Sequence, residues 1–131
     1  MRDLAGVSLN RDIARGSAAS TAVVRAIITA RKARREFFDS QLFADPAWDI
    51  LLELYALECE QHRISVSKLS MNAGVPGTTG LRWVDRLESD GLVARSDDAL
   101  DARRVWIRLS DKGSSAMRAF FERMSVALPA F

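Results

Sequence analysis

Over residues 64–110 the hydrophobic period of the chain changes twice. "ISVSKLSMNAG" (64–74) reads as a short strand position at Ile64, then a helix from Val66 to Ala73, with Ser65 able to cap it and Gly74 ending it. "VPGTTGLRWVDRLESDGL" (75–92) gives a second helix. Pro76 suits its first turn, Gly80, Trp83, Val84 and Leu87 recur at intervals of three and four as an inward face, and Gly91 closes it. Then the period becomes two. "LVAR" is a strand, "SDDALDAR" a loop, and "RVWIRLS" a strand with Val105, Ile107 and Leu109 on one side and Arg104, Trp106 and Arg108 on the other. Two short helices across a tight glycine-containing turn are a helix-turn-helix candidate, and the two-stranded hairpin that follows strengthens it.

The flanks supply what such a unit packs on. "DPAWDILLELYALECEQHR" (45–63) opens with Asp45 as a candidate cap and Pro46 at the first helical position. Trp48, Leu51, Leu52, Tyr55 and Cys59 form one stripe, and Ile50, Leu54 and Leu57 a second. A helix apolar on that much of its circumference runs through a core. Val23, Val24, Ile27, Ile28, Phe37 and Phe38 approximate a further helical stripe over 21–40, interrupted by "RKARR" (31–35), which reads as a solvated turn. Ser110 and Asp111 cap a last helix, 111–127, with Met117, Phe120, Phe121, Met124 and Leu128 on one stripe and Pro129 beyond it. Residues 1–18 are polar and read as a basic arm or a weak helix, with Ser17 or Ser20 available as the next helix's cap. The expectation is one mainly α domain with a small β-hairpin wing over residues 19–131. Its 131 residues, 48% of them hydrophobic, are enough for one core.

Charge and cysteine content narrow the function. Residues 1–35 hold eight basic and two acidic residues, while the remainder holds eleven basic and fifteen acidic. The basic end suits an anionic polymer or surface, or is a solvated face. Cys59 stands alone, so no internal disulfide forms, and a small buried hydrophobe is its expected role. No run of about 18 apolar residues predicts a membrane span, and the N-terminus lacks a signal peptide's apolar centre, so a cytoplasmic protein is expected. The single histidine, His62, leaves no triad or shared metal ligand, and no glycine-rich phosphate loop is present. No catalytic residue, cofactor or metal is predicted, and the chain reads as no enzyme.

Three pieces of the sequence, in order, resemble the winged-helix DNA-binding lobe of the MarR family of bacterial transcriptional regulators: "SKLSMNAGV", "TTGLRWVDRLESDGLVAR" and "DARRVWIRLSDKG". The last has an Asp, an Arg two residues on, an alternating strand, then Leu-Ser and a Gly three residues later. The likeness spans residues 64–113 with specific positions and more of the chain by helix order. Two positions depart from it. Gly80 stands where the family usually carries a larger apolar residue, and Leu81 where a small or polar groove-facing one is usual.

The resemblance implies a homodimer on a pseudo-palindromic duplex DNA site, with flanking helices for dimerisation. It also implies a regulator of which some relatives respond to small aromatic or lipophilic effectors, for which a cleft between the dimerisation helices and the Trp48–Tyr55 helix is the expected place. In that arrangement Thr78 and Thr79, at the start of the recognition helix, either touch base edges and phosphates or cap the helix. Arg82 reaches a phosphate or guanine edge, or pairs with Asp85. Arg86 meets a phosphate or Asp90. Ser65 and Ser67 either cap the preceding helix or bond the DNA backbone. Arg103 enters a minor groove, where negative potential is focused, oriented by Asp101, while Arg104 turns to the other side toward phosphate. The ordinary account of Asp101 and Arg103 is an exposed ion pair worth about 0–1 kcal/mol. A winged-helix protein-interaction module without specific DNA binding is the alternative, favoured by Leu81 and by the acidic loop residues Asp97, Asp98 and Asp101.

Overall fold

The computed structural model describes residues 21–39 and 41–127. The expectations for residues 1–18, for Ser17 or Ser20 as a cap and for Leu128 and Pro129 lie outside them. Helix α1 covers 21–37 of the described chain, and α2 follows at Pro46–Cys59. Strand β1 is Ile64–Ser65, α3 Val66–Asn72 and α4 Gly77–Ser89. Strands β2 (Val93–Asp97) and β3 (Val105–Leu109) precede α5, Asp111–Ala127. The fold is the expected one: mainly helical, with a winged helix-turn-helix at its centre.

The wing is larger than a hairpin. β1 joins it, giving a three-stranded antiparallel sheet in the order β1-β3-β2, with Ile64 opposite Ile107 and Ser65 opposite Trp106. β3 is therefore the central strand. Its inward residues Ile107 and Leu109 are buried, as the alternation predicted, and Val105 is half-buried. β2 also runs two residues past "LVAR", to Asp97, where it pairs with Val105.

α2 is the central helix. Ile50, Leu52, Leu54, Tyr55 and Ala56 are buried on it, and the surrounding elements contribute Val24, Ile28, Leu69, Val84, Leu87, Met117 and Phe121. Tyr55 stacks on Phe121 at 5.4 Å between ring centroids. Asp45 does not cap α2 through its side chain, and only its carbonyl takes part, accepting from Asp49 N–H. Cys59 is half-buried rather than buried, and burial pushes its thiol above the usual cysteine range.

Residues 31–35 form no turn. They continue α1 without a break, and its arginines find partners on neighbouring segments. Arg31 Nε donates to Asp49 Oδ1 at 2.6 Å, and Arg35 Nη2 donates to the Ala73 carbonyl at 3.2 Å. The apolar stripe fails at the other end of the same helix. Val24 and Ile28 are buried and Ile27 is partly so, but Phe37 and Phe38 are exposed where α1 ends.

Glu53 is the exception inside the core, with 3% of its surface exposed on the most apolar helix of the chain. Arg25 of α1 answers it with Nη1 at 3.1 and 3.2 Å from its two carboxylate oxygens, and turns Nε and Nη2 to Glu60. Asn72, at the end of α3, donates to Glu53 at 3.5 Å. One carboxylate thus ties α1, α2 and α3 together. Removing one partner from a buried ion pair strands the other charge away from water, a loss of about 3–5 kcal/mol, whereas replacing the whole pair by apolar groups is often neutral. Arg25→Ala is expected to destabilise the fold by about 3 kcal/mol, and Arg25→Ala with Glu53→Leu to recover most of it. Urea denaturation of the two variants measures this.

Candidate nucleic-acid interface

The recognition helix α4 stands on a turn set by two backbone features. Gly74 has φ of 67°, a left-handed conformation that side-chain-bearing residues rarely adopt, and Pro76 precedes the first helical residue, Gly77. No side chain caps α4, so Thr78 and Thr79 are first-turn residues and not caps. Gly80, Val84 and Leu87 face inward and are buried. Trp83, predicted on that face, is exposed, because the inward stripe is narrow and Trp83 lies a residue to its side. Gly80 has a packing reason. A Cβ there would come within 2.5 Å of Ser70 Oγ, so its absence lets α4 approach α3 closely. A larger apolar residue at this position would push the two helices apart.

The outward face of α4 presents Thr78, Leu81, Arg82 and Arg86, all exposed, while Thr79 is half-buried beside the start of α2. Arg82 makes no ion pair among the described residues. Its expected partner, Asp85, is taken by Arg95 at 2.8 Å. Arg86 pairs with Asp90 at 3.2 Å, one helical turn on.

Arg95 does more than occupy Asp85. Lying on β2, it donates Nη2 and Nε to the two carboxylate oxygens of Glu88, at 2.8 and 3.2 Å. This fork holds the C-terminal half of α4 to the wing sheet. The bonds from Arg95 hold the Glu88 carboxyl below the usual glutamate range.

The wing loop, 98–104, is ordered by its own aspartates. Asp98 Oδ1 accepts from Leu100 N–H at 2.8 Å, and its other oxygen lies 3.7 Å from Arg104 Nη1. Asp101 Oδ1 accepts from Arg103 N–H at 3.0 Å and from Arg103 Nε at 3.3 Å. Arg103 is 93% exposed despite that pairing, so its guanidinium stands in solvent at the loop's edge. The acidity of the loop is therefore largely internal. Asp98 and Asp101 each have an arginine of the same loop as partner.

Ser67, Asp101, Arg103 and Arg104 come together with Ser65, Lys68 and Met71 along a trough of about 460 Å³ between α3 and the wing. Ser65 caps α3 by accepting from Lys68 N–H at 3.2 Å and lies 3.3 Å from Ser67 through their hydroxyls. Lys68 was not among the sequence-predicted site residues. Only its place one residue after Ser67 pointed to it, and that says nothing until the wing folds beside α3. Thr78, Thr79, Arg82 and Arg86 lie outside this trough, on α4. A separate cavity of about 300 Å³ lies between the end of α1, the start of α2 and the first turn of α4. Arg31, Arg34, Arg35, Phe43, Val75 and Thr79 are among the residues that line it. Neither Trp48 nor Tyr55, where a cleft was expected, lines it. No group of His, Cys, Asp and Glu side chains among the described residues could hold a metal ion, and no helix among them is long and apolar enough to cross a membrane.

This arrangement is a winged helix-turn-helix. No protein-family profile matches the sequence, and neither does any curated protein. Solved structures match the fold. The structure of reduced AbfR bound to DNA shares it with a TM-score of 0.53 and 22% identity, over 98% of this chain and 86% of that one. S. aureus MepR in its DNA-binding conformation matches with a TM-score of 0.54 and 20% identity, over 97% and 81%. A MarR family transcriptional regulator from Silicibacter pomeroyi matches with a TM-score of 0.54 and 22% identity, over 79% and 67%. The chain thus has the fold of these regulators, as its wing and helix-turn-helix motifs led one to expect.

The Glu88–Arg95 fork has a pH signature. A carboxyl whose pKa is lowered by folding contributes stability above the usual glutamate range and loses it as the pH falls through the lowered value. Glu88→Gln is expected to lower the melting temperature at neutral pH, and the gap to the unaltered protein to shrink below about pH 4. Thermal melts across that range check it.

Proposed function

We propose that this protein is a DNA-binding transcriptional regulator of MarR type, acting as a homodimer on a pseudo-palindromic site. In this reading residues 64–113 form the DNA-binding lobe, the flanking helices make the dimer, and residues 1–18 form a basic arm. The observation that carries the proposal is the placement of exposed cations on the two elements that such a lobe turns toward a duplex. Arg82 stands on the outward face of α4 with no ion pair among the described residues, and Arg103 projects from the wing with Asp101 fixing its backbone and its side chain. The likeness to AbfR bound to DNA and to MepR in its DNA-binding conformation supports it.

Thr78, Thr79 and Arg82 take the major groove, where hydroxyls and a guanidinium meet base edges and phosphates. Arg86, tethered to Asp90, makes a phosphate contact. Arg103 enters the minor groove with Asp101 as its orienting partner. Ser67 and Arg104, at the trough beside the wing, hold phosphates. The dimer is supported by apolar groups that one copy leaves uncovered. Val23 of α1 is 48% exposed and Phe120 of α5 41%, the latter beside half-buried Trp48 at 5.0 Å between centroids. The cavity at Arg31, Arg34, Arg35 and Phe43, whose three guanidinium groups are balanced by Asp39, Asp45 and Asp49, is the candidate place for a small aromatic or lipophilic effector.

A binding isotherm on genomic fragments, titrated with salt, separates this reading from a protein-interaction module. DNA binding predicts a preferred site and an affinity that falls steeply with salt, whereas absence of both overturns it. On the selected site, Arg103→Ala and Arg82→Ala are each expected to weaken binding by roughly 1–3 kcal/mol, at different base pairs. Asp101→Ala costs less, and almost nothing once Arg103 is gone. Melting temperatures stay put for Arg103→Ala, since exposed substitutions usually move stability by under about 0.5 kcal/mol. Separately, Phe120→Glu is expected to give monomers or aggregates. Light scattering at micromolar concentration reads this, and a monomer mass for the unaltered protein rejects the dimer.

A further inference from the structure

The outer face of the wing sheet is basic and aromatic, and neither the helix-turn-helix nor the wing loop accounts for it. Trp106, the second residue of the central strand, points away from the core and is half-buried. Two guanidinium groups cover it: Arg63 at 4.2 Å and Arg104 at 5.3 Å from the ring centroid. Arg108 follows two residues along the same face, exposed and bonded only to the neighbouring Leu109 carbonyl among the described residues. Arg104 has Asp98 beside it, but Arg63 and Arg108 have no acidic partner among the described residues.

The position of Arg63 is informative. β1 runs antiparallel to β3 with Ile64 opposite Ile107, so the backbone of Arg63 is level with Arg108, away from the loop. Its guanidinium nevertheless lies over Trp106, level with Ser65. The side chain therefore leans along the strand toward the loop end of the sheet, held there by the ring face. Arg104 shares that ring and also lines the trough with Ser65, Ser67, Lys68, Asp101 and Arg103, so the charge of Arg63 adjoins the trough's edge. A continuous cationic band then runs from the trough around the outside of β1.

We propose that Arg63, positioned by Trp106, is a DNA phosphate contact outside the helix-turn-helix and the wing loop, and that this band carries the duplex flanking the recognised sequence. The inference rests on the DNA-binding reading above. A phosphate backbone fits better than an acidic protein segment because the band is continuous with the trough and Trp106 leaves the guanidinium edges free to donate to anionic oxygens. A contact of this kind adds affinity and salt dependence without sequence preference.

The test uses the full chain and two duplexes centred on the preferred site selected from genomic fragments, one of about two helical turns and one of about four. Dissociation constants are measured between 50 and 200 mM salt for the unaltered protein, Arg63→Ala, Trp106→Leu and the double variant, with melting temperatures in parallel. On the longer duplex Arg63→Ala is expected to lower the slope of log affinity against log salt by about 0.9 for each phosphate it no longer neutralises, which over this fourfold range is a change of about 3.5-fold. On the shorter duplex it changes little. Trp106→Leu reproduces the loss, and the double variant adds little to Arg63→Ala, because Asp98 still holds Arg104 when the ring is gone. An unchanged slope for Arg63→Ala on the longer duplex overturns the proposal while leaving the DNA-binding reading intact. Full, additive losses from the two single variants overturn the positioning role of Trp106. If the unaltered protein binds neither duplex, the DNA-binding reading itself fails. Arg63 is exposed at the end of a turn, so its variant keeps the test decisive even if Trp106→Leu loses the fold.

Discussion

A carboxylate buried in the central helix constrains most of what surrounds it. Glu53 lies where an apolar residue would cost nothing, and an ionised group there needs its charge answered and its oxygens bonded. Arg25 and Asn72 supply both, from helices on either side. Because Arg25 also holds Glu60, just past the end of α2, the C-terminal half of α2 is fixed against α1. Arg25 raises no competing demand: its bond to Glu60 strengthens its own charge and holds the Glu60 carboxyl below the usual range. The helix-turn-helix then rests on a platform whose three helices have one registration.

From that platform two further ties reach the candidate DNA-facing surface. Arg35 of α1 bonds the Ala73 carbonyl, at the turn between α3 and α4. Arg95 of β2 forks onto Glu88 and Asp85 of α4. The recognition helix is thereby connected at its entry to the first helix and along its length to the wing. Arg82 and Lys68, with no acidic partner among the described residues, and Arg103, with only a local one, project from this frame. Rigid support behind exposed cations is what a recognition surface requires, since side chains on well-packed elements lose less freedom on binding. At the other end of α1, the same arginines that replace the expected turn line the cavity beside Thr79. Asp39, Asp45 and Asp49 line it with them, so its charges balance.

Gly113 shows how close the tolerances are. A Cβ on it would come within 2.0 Å of the Leu92 carbonyl oxygen, the same oxygen that accepts from Ser110 N–H. The glycine at the end of the wing signature is there because α5 must start directly against the first residue pair of the hairpin. Gly80 does the same between α3 and α4. In both places the side chain is missing where two backbones or helices meet.

The sequence by itself determined the order of the elements. Periods of 3.6 and 2, with Gly74, Pro76 and Gly91 as punctuation, are local properties, and each element formed close to where its period placed it. The trough of Ser67, Asp101, Arg103 and Arg104 was legible only as separate residues, and the Asp101–Arg103 pair because its members lie two apart. What needed the tertiary structure was everything set by partners distant in sequence. The continuation of α1 through 31–35 depends on Asp49 and the Ala73 carbonyl. The third strand depends on Ile64 meeting Ile107, forty-three residues away. Trp83 turned outward because Gly80, Val84 and Leu87 already filled the inner face. Asp85 left Arg82 for Arg95, ten residues on, because β2 folds back along α4. Helical and strand periods report which way a side chain points from its own backbone, and partners from other elements decide what it meets there.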